Sequence, residues 1–387
     1  MREYLLVLMV AAAVTYLVTP VARRIALRWG AMTEVRDRDV HAIPTPRLGG
    51  VAMLVGFMAA LLVAVHLPFL GPTFADGHDA RALLSGAVLI CLLGVADDKW
   101  GLDAITKLAG QVLAAGVMVL QGVQMLYLPV GGLGGGGTAG SPPGAFVLGS
   151  ALGSVLTIFV VVATINAVNF VDGLDGLAAG IVAIAASSFF AFSYLLAIND
   201  GLSRATTSGI VAVSLMGMCI GFLPHNFSPA RIFMGDSGSM LIGLLLASTT
   251  VTLTGSVNPN DVSGDIAPAL LPLVLPVAVM VVPFVDVLLA IIRRTRAGRS
   301  PFAPDKQHLH HRLLEIGHSH ARAVIVMYLW SAVIAYGATA TVLPLGPVAL
   351  VASFVGVVVV ALVLTMKLPR LRREEGTFTG VWRSRSR

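Results

Sequence analysis

The stretch that decides the fold is YLLVLMVAAAVTYLVTPVARR, residues 4–24. It carries no charge before Arg23, and as a helix it is long enough to cross the ~30 Å hydrocarbon core of a bilayer. A signal peptide carries its positive charge before the apolar run, whereas here one Arg and one Glu precede the run and Arg23-Arg24 follow it. The sequence therefore predicts a first membrane span whose N-terminus lies outside.

Apolar runs of this kind recur along the whole chain. The protein has 387 residues, of which 56% are hydrophobic and 12% are charged, whereas a soluble domain carries roughly 25% charged residues. Both cysteines fall inside apolar runs, which excludes a disulfide framework and a zinc-binding cysteine cluster. We expect an all-α integral membrane protein with eleven transmembrane helices near residues 4–22, 48–68, 82–96, 107–127, 150–168, 176–197, 208–223, 237–256, 269–292, 323–343 and 347–367.

The distribution of charge fixes the predicted orientation. Eleven spans and an outer N-terminus leave the C-terminus in the cytosol, and 23 of the 26 Lys and Arg residues then face the cytosol, in agreement with the positive-inside rule. In this prediction residues 1–367 form one polytopic domain of the plasma (inner) membrane, and residues 368–387 form a basic, disordered cytosolic tail. Attraction to anionic inner-leaflet lipids explains the net charge of +6, so membrane lipids are expected partners and nucleic acid is not.

Five polar segments interrupt the apolar sequence, and the predicted topology places all of them on the cytosolic side. They are residues 23–47, 97–98, 166–175, 226–236 and 305–311. Asp97 and Asp98 directly follow the third span, so they are held at the membrane surface, where ionisable groups are commonly functional. Two adjacent carboxylates either bind a cation or supply a general base; a charged helix end is the simpler structural interpretation of such a pair.

The second acidic segment shows a regular spacing. Asn166, Asn169, Asp172 and Asp175 recur every three positions, so on a helix they lie along one slowly rotating stripe. A polar turn between two spans needs neither two amides nor two acids. The spacing therefore favours a functional role.

Two further features complete the set. Asp236 stands at the start of the eighth span, where the helix N-terminus favours an anion such as a metal-bound diphosphate; alternatively Asp236 only caps that helix. Three histidines, His308, His310 and His311, lie in the longest cytosolic loop. They indicate metal binding or phosphate contact.

The ligand types favour a hard cation. Carboxylates and Asn169 offer oxygen donors, which suit Mg²⁺, with Mn²⁺ as a substitute, better than Zn²⁺. Hard-cation ligands, a candidate base and phosphate-contacting groups together indicate phosphoryl transfer, and the membrane setting implies a lipid substrate. Two other classes are a transporter, whose site usually lies near the bilayer midplane, and a non-catalytic subunit that binds without turnover.

The motifs, in this order, resemble those of the polyprenyl-phosphate N-acetylhexosamine-1-phosphate transferases, over roughly residues 1–345. The residues that carry the resemblance are Pro44 to Gly50 (PTPRLGG), Asp97-Asp98 with Lys107 and Gln111 downstream, Asn166 to Gly176, Phe233 to Asp236, and His308 to His311. This resemblance implies a helical fold of ten or eleven spans with a cytosolic active-site cleft. It also implies that a polyprenyl phosphate oxygen attacks the sugar-side phosphorus of a UDP-sugar and that UMP leaves.

The resemblance also implies residue roles. Asp236 is expected to bind Mg²⁺ with help from Asn169, and Asp97 or Asp98 is expected to deprotonate or orient the lipid phosphate. Asp172 and Asp175 would contact the nucleotide or support the metal site, Phe233 would stack on uracil, and Lys107 would neutralise phosphate charge. The remaining expected contacts to the diphosphate, the sugar or other parts of the substrates come from Asn166, Arg47, His308, His310, His311 and Arg312.

The histidine loop and Arg47 bear on the donor sugar. The sequence HLHHRLL, residues 308–314, resembles the N-acetylglucosamine branch more than the muramoyl-pentapeptide branch, and Arg47 stands where the latter commonly has Met. The expected partners are therefore UDP-N-acetylglucosamine and an undecaprenyl or decaprenyl phosphate, with UDP-N-acetylmuramoyl-pentapeptide as the alternative donor. The outer faces of the seventh to ninth spans are the candidate surface for a homodimer.

Overall fold

The computed structural model describes residues 1–32, 44–74, 78–125, 127–128, 146–199, 203–254, 273–278, 295, 320–340 and 354–362. Nine helices with defined bounds lie in these ranges. They are α1 (Arg2–Trp29), α2 (Gly49–His66), α3 (His78–Trp100), α4 (Ala104–Leu120), α5 (Ser150–Val171), α6 (Leu177–Asn199), α7 (Ser203–Asn226), α8 (Gly235–Thr254) and α9 (His320–Ala340). Residues 273–278 and 354–362 are also helical.

These helices make the chain a multi-pass membrane protein. Within the described residues, all of the nine helices except α4 are long and apolar enough to cross a bilayer. Helix α4 has 17 residues and ends at Leu120, so it is shorter than the predicted span 107–127. The predicted spans 269–292 and 347–367 are described only in part, and the count of eleven stays a prediction.

The structure adds one small exception to the all-α prediction. Two-residue strands, β1 (Tyr127–Leu128) and β2 (Phe146–Val147), pair antiparallel between α4 and α5. A short 3₁₀ turn (Gly71–Phe74) also lies between α2 and α3. These elements occupy loops, and they leave the helical architecture unchanged.

Helix α8 is the centre of the bundle. It packs against α2, α3, α5, α6 and α7, and nearly all of its residues are buried. Its sequence, GDSGSMLIGLLLASTTVTLT, is rich in Gly, Ser, Ala and Thr, and small residues let membrane helices approach closely. A Cβ atom at Gly50 of α2 would lie 2.2 Å from the backbone N of Gly238, so only glycine fits this contact.

The loops that carry the polar motifs meet at one end of this bundle. The backbone N–H of Arg47 donates to the carbonyl of Ala31 (3.0 Å), and that of Phe233 donates to the carbonyl of Pro46 (2.9 Å). At the opposite end, the Glu3 carboxylate accepts hydrogen bonds from the backbone N–H groups of Phe69 and Leu70. The prediction that the polar segments share one side is confirmed for the described residues.

Two tryptophans mark the motif-bearing end. Trp29 ends α1 and Trp100 ends α3; both are exposed, and their ring centroids are 6.4 Å apart. Tryptophan is enriched where a helix leaves the hydrocarbon for the polar headgroups. The polar motifs therefore lie at the level of a membrane surface rather than at the bilayer midplane.

Candidate active site

Three charged side chains from three helices meet at the motif-bearing end. The ammonium Nζ of Lys107, in the first turn of α4, lies 2.5 Å from Asp97 Oδ2 and 3.2 Å from Asp236 Oδ2. The side chains of Lys107 and Asp236 keep 28% and 22% of their surface exposed, whereas that of Asp97 keeps 4%. A substrate therefore meets Lys107 and Asp236 first, and Asp97 lies behind them.

Asp97 is held by the turn that follows α3. Its Oδ1 accepts a hydrogen bond from the backbone N–H of Leu102 (2.7 Å), while its Oδ2 faces Lys107. This turn also carries Asp103, whose carboxylate caps the N-terminus of α4 through the backbone N–H groups of Ile105 and Thr106. Hydrogen bonds at Leu102 and at the start of α4 therefore hold the segment between Asp97 and Lys107, and they fix the position of Lys107 relative to Asp97.

Asp98 points elsewhere. Its Oδ1 accepts from the backbone N–H of Asp236 (2.8 Å), and its Oδ2 accepts from the backbone N–H of Ser237 (3.1 Å). The sequence interpretation placed a substrate anion at this helix N-terminus or made Asp236 the cap. In the structure the anion that caps α8 is Asp98.

The two side-chain amides near the end of α5, those of Asn166 and Asn169, form hydrogen bonds to two different helices. Asn169 donates hydrogen bonds to Asp236 Oδ1 and to Ser239 Oγ of α8. One turn earlier, Asn166 donates to the buried Gln111 Oε1 of α4 (2.6 Å) and to the Val162 carbonyl. The predicted rotation of the polar stripe explains this divergence, and it makes Asn166 a link between α4 and α5 here.

Asp172 lies just beyond α5 among like charges. Burial, followed by the charges of Asp236 and Asp98, raises the pKa of Asp172 to about 8, and the guanidinium of Arg47 partly offsets this shift. Because like charges contribute to this shift, the carboxylates of Asp98, Asp172 and Asp236 repel one another at this end of the bundle. A divalent cation or a cationic side chain would relieve that repulsion.

Asp175 organises a loop instead of joining the Lys107 cluster. Its Oδ2 accepts a hydrogen bond from the backbone N–H of Ala230 (3.0 Å). Nearby, the buried Asn226 accepts from the backbone N–H of Gly176 (3.0 Å) and donates to the carbonyl of Ile232 (3.1 Å). These bonds fasten the loop after α5 to the loop before α8.

Several contributors were not predicted from the sequence. The hydroxyl of Tyr328 in α9 donates to the carbonyl of Gly176, and no pattern in the apolar sequence around Tyr328 indicates this contact. Ser239 follows Asp236 by three positions, so its placement on the same face of α8 was accessible from helical spacing. The connecting role of Asn226 depends on loops that only the tertiary structure brings together.

Other predicted residues are placed only in part. Phe233 is half-buried, and its backbone carbonyl accepts from the N–H of Gly49 (3.1 Å), which holds it beside the segment that carries Arg47. Its stacking on uracil stays a prediction. The predicted contacts of His308, His310, His311 and Arg312 lie outside the described residues.

The donor set suits Mg²⁺ with help from the substrates. In the described part of the chain, no three His, Cys, Asp or Glu side chains form a ready-made metal cage. Asp236 nevertheless presents a partly exposed carboxylate, and Asp97 lies close behind it. Mg²⁺ commonly takes one or two carboxylates and completes its octahedron with water and substrate phosphates, so the residues present fit this ion.

Comparison with known proteins gives the family. The model of glycosyl transferase family 4 matches residues 80–254, a range that contains the Lys107 cluster, both α5 amides, Asp172 and Asp175. The chain is 47% identical over 378 residues to the decaprenyl-phosphate N-acetylglucosaminephosphotransferase of Mycolicibacterium smegmatis, covering 96% of this chain and 90% of the relative. The Mycobacterium tuberculosis protein of the same name is 48% identical over 377 residues, with the same coverage.

A more distant relative extends the pattern beyond mycobacteria. The Bacillus subtilis protein named "Probable undecaprenyl-phosphate N-acetylglucosaminyl 1-phosphate transferase" is 31% identical over 313 residues, covering 81% of this chain and 78% of the relative. The similarity thus spans nearly the whole chain, including the residues that form the cluster at the membrane surface. The chain belongs to glycosyl transferase family 4, together with the phosphotransferases that these relatives represent.

Proposed function

We propose that the protein transfers N-acetylglucosamine 1-phosphate from UDP-N-acetylglucosamine to a polyprenyl phosphate, with decaprenyl phosphate as the acceptor. An oxygen of the lipid phosphate forms a bond to the sugar-side phosphorus, the bond from that phosphorus to the bridging oxygen breaks, and UMP leaves. The products are polyprenyl-diphosphate-N-acetylglucosamine and UMP. Relatives with 47–48% identity bear names with this sugar and this lipid, which supports both choices.

The observation that carries the proposal is the Asp97–Lys107–Asp236 cluster at the membrane surface. It puts a partly exposed carboxylate and a partly exposed ammonium side by side, where a lipid phosphate and a nucleotide diphosphate both have access. When bound by Asp236, Mg²⁺ supplies a Lewis acid that offsets the repulsion between two anionic substrates. Asn169 holds the Asp236 carboxylate by a hydrogen bond, and its predicted role as a second metal ligand belongs to this proposal.

In this scheme Lys107 and Asp97 neutralise and orient the lipid phosphate. A phosphate monoester has a second pKa of about 6, so at neutral pH it is mostly dianionic and needs orientation and charge neutralisation more than a strong base. The Lys107 ammonium supplies the positive charge, and Asp97 fixes its direction through the 2.5 Å ion pair. Arg47, Asp172 and Phe233 lie around the same end of the bundle, where they are available to the nucleotide.

The positive-inside bias puts this end of the bundle in the cytosol of a plasma membrane. UDP-sugars are made in the cytosol, and a site at the membrane surface lets a soluble donor meet a lipid acceptor. The basic loops on the same side attract anionic lipids. Cytosolic orientation is therefore part of the proposal.

A reconstituted reaction tests the proposal. Purified protein in detergent receives UDP-N-acetylglucosamine, decaprenyl phosphate and Mg²⁺, and UMP release and the lipid product are followed. We expect turnover that needs all three components, and a loss of about 10²- to 10³-fold in Asp236→Asn, because an interaction made in the transition state is removed. Asp79→Asn, at the opposite end of α3, is the matched control and should keep wild-type turnover.

The outcomes distinguish an error in the donor sugar from an error in the reaction type. Turnover with another UDP-sugar, such as UDP-N-acetylmuramoyl-pentapeptide, and none with UDP-N-acetylglucosamine would refute the donor and keep the reaction type. If folded protein showed no turnover with any UDP-sugar, the transferase proposal would be refuted. Stereochemistry tests the single displacement: a chiral sugar-side phosphorus should invert, whereas retention would require a phosphoryl-enzyme.

A further inference from the structure

The two adjacent aspartates of α3 have separate partners. Asp97 faces Lys107, whereas both oxygens of Asp98 accept backbone N–H groups at the start of α8. Asp98 is 6% exposed. Its carboxylate is therefore occupied by the protein itself.

These N–H groups belong to the first turn of α8. The first N–H groups of a helix have no carbonyl partner within it, and a carboxylate at that end also interacts favourably with the helix dipole. A cap normally comes from the residue just before the helix, but here it comes from another helix, 138 residues away from Asp236 in sequence. One of the two donors is the N–H of Asp236, so Asp98 fixes the backbone from which the Asp236 carboxylate extends.

Glycines close the space around this contact. Gly235 has a φ of +68°, a left-handed conformation, and a Cβ atom there would lie 2.3 Å from Asp98 Oδ2. One turn before Asp98, a Cβ atom at Gly94 would lie 2.3 Å from Ser237 Cα. Helices α3 and α8 are thus in backbone contact, and the Asp98 carboxylate lies buried in the close packing between them.

We infer that Asp98 is a positioning residue that caps α8 and aims Asp236, and that it takes no proton from the lipid phosphate. Of the aspartate pair, only Asp97 then acts next to the substrates, through Lys107. The inference rests on the proposed function for the metal-binding role of Asp236. The capping geometry itself is independent of that role.

Asp98→Asn and Asp103→Asn form a matched pair of variants. An amide has a single acceptor oxygen, so Asn at position 98 leaves either the Asp236 or the Ser237 N–H facing an NH₂ group. At Asp103 a single oxygen, Oδ1, accepts from both Ile105 and Thr106 N–H groups. The other oxygen accepts only from the Thr106 hydroxyl, which can rotate to accept from the NH₂ group of Asn, and Asn is as good a helix cap as Asp. The same substitution therefore disrupts one cap and preserves the other.

The expected signature lies in metal affinity. Removing an outer partner of a metal ligand typically weakens metal binding by about 10- to 100-fold. We expect Asp98→Asn to raise the Mg²⁺ concentration for half-maximal turnover by about tenfold, with activity largely recovered at saturating Mg²⁺. Mn²⁺ titration by electron paramagnetic resonance, with no substrate present, should show the same shift, and Asp103→Asn should match wild type in both measurements.

A proton acceptor would behave differently. If Asp98→Asn lost turnover at every Mg²⁺ concentration while its Mn²⁺ affinity stayed at the wild-type value, Asp98 would be a base and the inference would be wrong. Gly235→Ala covers the case in which Asp98→Asn does not fold: its methyl group displaces Asp98 without altering any titratable group, and it should weaken Mn²⁺ binding in the same way.

Two further measurements distinguish a failure of the proposed function from a failure of the cap. Wild-type protein that bound no Mn²⁺ would overturn the metal assignment of Asp236. The cap would then be judged by thermal unfolding of metal-free protein, in which Asp98→Asn should unfold at a lower temperature than Asp103→Asn. Equal unfolding temperatures for these two variants would overturn the cap.

Discussion

At the residue scale, Asp172 lies just beyond α5 in surroundings that penalise its charge. Its pKa is raised to about 8 by burial and by Asp236 and Asp98, whereas an Asp in the unfolded chain titrates near 3.9. Folding therefore favours the protonated form. The stability linked to this group is fully present below about pH 4 and is lost as the pH rises toward and through about 8.

Asp172→Asn should remove this pH dependence. In metal-free detergent solution, we expect the unfolding temperature of wild type to fall between pH 6 and pH 9, and that of Asp172→Asn to fall less and to exceed wild type at pH 9. The reason is that Asn carries no charge that burial opposes. Thermal unfolding at several pH values, with EDTA present, measures the effect.

Asp103→Asn is the control for that pH series. Hydrogen bonds from Thr106 lower the pKa of Asp103, so its linked stability is present above the unfolded pKa and is lost only as the pH falls through the lower, folded value. Its profile between pH 6 and pH 9 should run parallel to that of wild type. Parallel profiles for wild type and Asp172→Asn would contradict the raised pKa.

The sequence predicted the aspartate pair but not the different partners of its two side chains. Neighbouring residues on a helix point about 100° apart because there are 3.6 residues per turn, so different partners were to be expected. The identity of each partner was not accessible. Lys107 and the N-terminus of α8 reach Asp97 and Asp98 only through tertiary contacts between α3, α4 and α8.

At the element scale, the packing of α3 on α8 controls the site. Gly94 permits the close backbone approach that lets Asp98 reach the α8 N–H groups. Gly94→Ala should lower stability by about 1–3 kcal/mol, the usual cost of forcing an extra methyl group into a packed interior. Thermal unfolding in detergent measures it, and we expect Mg²⁺ affinity to fall with stability because Asp236 moves with α8.

Gly116→Ala is the matched control on α4. A Cβ atom at Gly116 would meet no other atom within 4 Å, and Ala is the better helix former by about 1 kcal/mol. We expect unchanged or slightly raised stability and wild-type Mg²⁺ dependence. Equal unfolding temperatures for the two glycine variants would show that α3 and α8 are not in backbone contact.

Helices themselves were largely predictable, whereas their contacts were not. Long apolar runs predict spans because an unpaired backbone N–H or C=O is too costly in hydrocarbon, and nine of the predicted spans overlap defined helices. Apolarity does not distinguish a lipid-facing helix from a buried one, since lipid is as apolar as a protein core. The central position of α8 therefore emerged only from the structure.

At the scale of the whole molecule, span parity explains why distant motifs meet. Two helices separate each of the loops that carry Arg47, Asp97, Asp172 and Asp236 from the next, so all four return to the same end of the bundle. The approximate position of each span is enough to predict this shared end. The side of the membrane that the shared end faces depends on the charge bias.

Single-cysteine labelling in intact cells tests that side. His78 and Ala104 are both exposed. His78 begins α3, and Ala104 begins α4, just beyond the other end of α3. Both native cysteines are buried, so unmodified protein serves as the unlabelled control. A membrane-impermeant maleimide should label His78→Cys in intact cells, but Ala104→Cys only after permeabilisation. The positive-inside rule requires this result, because the basic loops share the Ala104 end. Labelling of Ala104→Cys in intact cells would put the Lys107 cluster outside, beyond the reach of cytosolic UDP-sugar.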